Sequence, residues 1–134
     1  MKKTLLSRRG FLAGALAAAA GPMIVPARAL GRAGTTAPNE RITMGFIGLG
    51  GQGSGHLFGG SWTYVAGGYL GRGEVQVVGV CDVWRPKRES ARDRVNQHYA
   101  QLAGTGSHAS CEAYRDFRDL LARDDVDAVL MALP

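Results

Sequence analysis

The sequence predicts an α/β fold, a parallel β-sheet whose strands are joined by helices. Three observations carry this. Two β-branched, apolar runs, Ile42–Ile47 and Glu74–Asp82, flank a glycine-rich segment. A helical stripe of Ala91, Val95 and Tyr99 or His98 follows the second run. The final run is apolar at every position from Ala128 to Leu133, the pattern of a strand covered on both faces of a parallel sheet. Strands alternating with helical segments are built from βαβ units.

The elements follow in chain order. Residues 1–29 have a basic start, an apolar stretch from Phe11 to about Ala20, and Ala27-Arg28-Ala29, the layout of a cleavable export signal. Ser7-Arg8-Arg9-Gly10-Phe11-Leu12 resembles the twin-arginine signal, whose machinery moves folded proteins. The alternatives are a Sec signal with a chance arginine pair or an uncleaved anchor. The apolar part is shorter than the roughly 20 residues that a stable membrane span needs. Cleavage is expected after Ala29, and the destination is the periplasm or another extracytoplasmic space. Residues 30–40 read as a linker, and 41–134 as the domain.

Strand one is Ile42–Ile47, and Gly48–Gly53 is a turn that opens a helix near Gly50 or Gly51. That helix is expected to be short. Gly59, Gly60, Gly67, Gly68, Gly71 and Gly73 follow it, and each would cost about 1 kcal/mol inside a helix. A loop insertion and a further helical turn are expected before strand two, Glu74–Asp82. Pro86 suits the first turn of the next helix, and Gly104-Thr105-Gly106 closes it. A short third strand falls near Ala109–Tyr114. Asp116 is placed to cap a short helix ending at Leu121. Strand four then wants a neighbour on each side and a covering helix, so the chain is expected to be the N-terminal piece of a longer protein.

The charge is uneven. The net charge is +5, but five of the 16 basic residues lie in the first 29 positions, which hold no acid. From Leu30 onward 11 basic residues face 11 acidic ones, so the domain is neutral and nucleic acid is not an expected partner. The two cysteines, Cys81 and Cys111, read as small packing residues rather than a disulfide framework.

Gly48-Leu49-Gly50-Gly51-Gln52-Gly53 is a G-x-G-x-x-G between a strand and a helix, the dinucleotide-binding arrangement. Gly48 makes the tight turn, Gly50 admits the pyrophosphate to the backbone, and Gly53 lets helix and strand approach. Helix-start N–H groups and the helix dipole attract phosphates. Asp82 ends strand two, where an acid accepts the hydroxyls of the adenosine ribose and repels a 2′-phosphate. The cofactor expected is NAD, with NADP the alternative through Arg85 and Arg88. Asp82 lies further from Gly53 than the usual ~20 residues, and the glycine-rich insertion absorbs the excess. The competing readings are a turn whose glycines serve packing only and an Asp82 that is a helix-capping or solvated loop acid. His56 faces the cofactor or is a packed or solvated residue of the first helix; His98 and His108 read as surface residues. Trp62, Tyr64 and Tyr69 either line a substrate mouth or pack the insertion. No metal-ligand spacing, G-x-S-x-G or lysine-bearing phosphate loop occurs.

The segments MGFIGLGGQGSGH, VQVVGVCDVWRPKRESA and YRDFRDLLARDDVDAVLMALP together resemble the nucleotide-binding half of the glucose–fructose oxidoreductase/inositol dehydrogenase family (Gfo/Idh/MocA) over about Arg41 to Pro134. The resemblance implies a Rossmann-like domain, here strands 1–4 of a doubly wound sheet, followed by an α+β substrate domain. It implies hydride transfer between NAD(P) and a sugar or polyol carbon, and no catalytic residue before Pro134. Leu133 stands where the family usually has threonine; Pro134 matches. A homo-oligomer is expected of the full-length protein. A glycosidase of the same fold, which oxidises and re-reduces its sugar through bound NAD, is an alternative. So is a non-catalytic NAD-binding fragment. A methyltransferase fits the tract after Tyr114 less well.

Overall fold

The computed structural model describes residues 36–37, 40–61, 63–104 and 110–134. The expected leader, most of the expected linker, Trp62 and His108 lie outside them.

Four strands form one sheet in the order β3-β2-β1-β4, every neighbouring pair parallel. They are β1 (Ile42–Ile47), β2 (Val75–Cys81), β3 (Glu112–Tyr114) and β4 (Ala128–Met131). The helices are α1 (Gly51–Phe58), α2 (Arg85–Ala103) and α3 (Phe117–Leu121), with a 3-10 turn at Tyr69–Gly71. This is an α/β, Rossmann-like sheet. The first two crossovers step outward from β1 to β3, and the third returns past β1 to β4. The direction of winding therefore reverses between β1 and β4.

The two faces of the sheet are covered unequally. On one face Met44, Phe46, Val75, Val77 and Val80 pack with Leu57 of α1, Leu70, and Ala91, Val95 and Tyr99 of α2. The expected α2 stripe thus resolves to Tyr99, with His98 half-buried beside it. The other face holds Ile47 and Cys81 beneath Leu120 of α3. Gly45 and Gly79, register partners, leave the depression that Leu120 fills.

Val78 is an extra residue in β2: Met44 pairs with Val77, but Gly45 pairs with Gly79. This bulge breaks the two-residue alternation and lets Val77 and Val80 join one core. Asn96 of α2 fixes the start of β3 through two hydrogen bonds, donating to Cys111 O at 3.1 Å and accepting from Cys111 N at 3.0 Å. Asp116 caps α3, accepting from Arg118 N at 2.9 Å. Gly104 ends α2 in the left-handed conformation, φ 67°.

Strand four is shorter than its apolar run: its ladder ends at Met131. Among the described residues it pairs with β1 alone and is partly exposed, in line with the expectation that it lacks a second neighbour. Apolar sequence runs past the last backbone pairing.

Candidate functional site

The turn after β1 sits where the winding reverses, at the carboxyl ends of the strands. Ligands of open α/β sheets bind in such crevices. Gly48 holds φ +83°, and a Cβ there would lie 2.4 Å from Ala132 O. The turn is therefore pressed against the end of β4, and only glycine satisfies both demands. Gly53 lies in the first turn of α1, where a Cβ would meet Gly48 O at 1.8 Å. The helix thus rests directly on the turn.

Gly50 differs. Its φ of −67° suits any residue, and nothing lies within 4 Å of a Cβ built there. Its surroundings are open rather than packed. Gly50 is also the N-cap of α1, with no side chain capping the helix and no acid in its first turn. Gly51 and Gln52 are exposed, whereas the Leu49 side chain is buried. The arrangement offers first-turn N–H groups, which have no intrahelical partners, at a helix start that favours negative charge.

Asp82 follows β2 directly. One carboxylate oxygen accepts from Leu49 N and the other from Trp84 N, each at 2.8 Å. The side chain therefore ties the glycine turn to the start of α2. A carboxylate has about four acceptor positions, so both oxygens keep capacity for a ligand. The helix-capping alternative for Asp82 is not what the structure shows: the N-cap of α2 is Trp84, no side chain caps the helix, and Asp82 accepts from the N–H of that N-cap residue itself.

The nearby cations have partners. Arg85 pairs with Glu89 at 2.7 Å. Arg88 donates to the carbonyls of Asp82 and Val83 at 3.3 and 3.2 Å. Lys87 Nζ stands 5.1 Å from the centre of the Trp84 ring. Trp84 is the feature that sequence reasoning passed over. Its signal was an aromatic residue two positions after the acid that ends β2.

His56 is buried and stacks on Tyr64, ring centres 5.6 Å apart. Its Nδ1 has no hydrogen-bond partner among the described residues. Tyr69 packs edge-on against Phe46 at 6.0 Å. Both cysteines are free and buried; burial raises the Cys81 thiol and pushes the Cys111 thiol up to about 12. A cavity of about 310 Å³ between Phe58, Leu70, Arg94 and His98 lies at the other end of α1 from the glycine turn. Among the described residues no cluster of His, Cys, Asp and Glu has the makings of a metal site, and no helix is long and apolar enough to cross a membrane.

No family model matches the chain. No curated protein matches it either. Among solved structures it is similar to a myo-inositol dehydrogenase from Corynebacterium glutamicum ATCC 13032, with 20% identity and a TM-score of 0.42. The match covers 70% of this chain but spans only 21% of that protein's length.

Proposed function

We propose that this chain is the nucleotide-binding part of an exported, NAD-dependent oxidoreductase acting on a sugar, polyol or related carbohydrate. The observation that carries the reading is the open backbone at Gly50, set between a packed Gly48 and a packed Gly53 at the switch point of the sheet. Packing accounts for Gly48 and Gly53 but places no demand on Gly50.

In this reading Gly51, Gln52 and Gly53 present N–H groups to the diphosphate, and Gly50 lets it approach. Gly48 and Leu49 hold the turn in shape. The spare acceptor capacity of Asp82 takes the hydroxyls of the adenosine ribose. NAD is favoured over NADP because Asp82 would repel a 2′-phosphate while Arg85 and Arg88 are already engaged. When bound, the nicotinamide supplies hydride acceptance and donation.

The carbohydrate substrate rests on the Gfo/Idh/MocA resemblance of the tract from Tyr114 to Pro134, and the groups that touch it are assigned to the rest of a longer, homo-oligomeric protein. Export rests on Ser7–Leu12 and Ala27–Ala29. Twin-arginine export and NAD use are physically consistent, since a cytoplasmic cofactor must be enclosed before the protein leaves.

Protein recovered from the extracytoplasmic fraction and denatured in acid should release close to one NAD per chain. Recovery of folded, exported protein without nucleotide would contradict the reading.

A further inference from the structure

An exposed tryptophan beside a polar site calls for an explanation, because tryptophan is usually largely buried. Trp84 is 58% exposed and its neighbour Val83 is 84% exposed. Asp82 holds the Trp84 backbone at 2.8 Å with one oxygen and the glycine turn at 2.8 Å with the other. A single carboxylate thereby sets the spacing between the turn and the tryptophan. Lys87 stands over the indole, 5.1 Å from its centre, a cation–π contact that can cover only one face.

We propose that the Trp84 indole is the stacking platform for the adenine base of the dinucleotide. The inference rests on the nucleotide reading above: the base is joined to the ribose that Asp82 would hold, and Trp84 lies two residues further on. An aromatic face stacks on a purine without needing hydrogen bonds, which suits a position where the structure supplies an exposed ring and an exposed valine. The hydrogen bond to Asp82 fixes the Trp84 main chain, and Lys87 stands over the ring it carries.

The test is calorimetric titration of purified, nucleotide-stripped protein with NAD, AMP and inorganic pyrophosphate. Trp84→Leu should weaken NAD and AMP about tenfold, and Trp84→Phe by less than about threefold, with pyrophosphate unaffected by either. In a Trp62→Phe background, AMP should quench the remaining tryptophan fluorescence with the midpoint found by calorimetry. Circular dichroism should show the same fold for every variant. If the unmodified protein binds NAD and Trp84→Leu matches it for NAD and AMP, the platform is overturned while the nucleotide site stands. If the leucine variant also weakens pyrophosphate tenfold, Trp84 shapes the turn and the stacking role is overturned. If the unmodified protein binds no nucleotide, both readings fall.

Discussion

Replacing Gly53 and Gly50 by alanine, one at a time, separates two roles that the same residue type plays three positions apart. At Gly53 a Cβ would sit 1.8 Å from Gly48 O and 3.0 Å from Gly48 C, inside the distance that real Cβ atoms keep. The obstacle is the backbone of a turn that is itself packed on Ala132, so neither side can yield cheaply. Overpacking of this kind costs about 3 kcal/mol, at the upper end of the usual range, because no flexible side chain absorbs it. Alanine recovers about 1 kcal/mol of helix propensity. The net expectation for Gly53→Ala is a loss of about 2 kcal/mol, read as a lower urea midpoint with an unchanged m-value.

At Gly50 the new methyl meets nothing within 4 Å, and the backbone is already in an ordinary region. Alanine is a poorer N-cap than glycine, so the change in stability should stay within about 1 kcal/mol. NAD affinity should nevertheless fall about tenfold or more, because the methyl stands where the diphosphate would approach. Urea melts and NAD titrations on both variants make the comparison. Equal destabilisation by the two substitutions, or undiminished NAD binding by Gly50→Ala, would refute the division of labour.

Three further outcomes are expected. Asp82→Ala strips the acceptor from Leu49 N and Trp84 N, and should cost about 1–3 kcal/mol in a urea melt while narrowing any preference for NAD over NADP. Leu120→Ala should cost about 3 kcal/mol, since the side chain is fully buried over Gly45 and Gly79; adding Gly79→Ala, whose Cβ points at the Leu120 site, should return about 1 kcal/mol in a double-mutant cycle. Asp127 is held below the usual carboxylate range by hydrogen bonds from the Thr43 backbone N–H and hydroxyl. Its depressed value contributes stability that is present above pH ~4 and lost as pH falls through the folded-state value, so Asp127→Asn should reduce the drop in urea midpoint between neutral and acidic pH.

The parts of the fold that were legible in the sequence are those governed by local chemistry. β1 was delimited by an apolar run meeting a glycine, α2 by Pro86 and Gly104, and the cap of α3 by Asp116, because each boundary is made by residues adjacent in the chain. The parts that were not legible depend on distant partners. The bulge at Val78 exists only in register with β1, and no reading of period two along β2 alone reveals it. Strand four read as apolar to Leu133, but its ladder stops where pairing with Ile47 stops. The motif identified Gly48, Gly50 and Gly53; it did not show that Asp82, 33 residues away, fastens Leu49. Trp84 carried no periodic pattern, and its exposure beside that carboxylate is a property of the folded chain.

The most direct test of the account is titration of well-folded, nucleotide-stripped protein with NAD and with NADP. Saturable binding is expected, tighter for NAD, and weakened about tenfold or more in the Gly50→Ala variant. Absence of affinity for both nucleotides would contradict the role assigned to the turn and to Asp82.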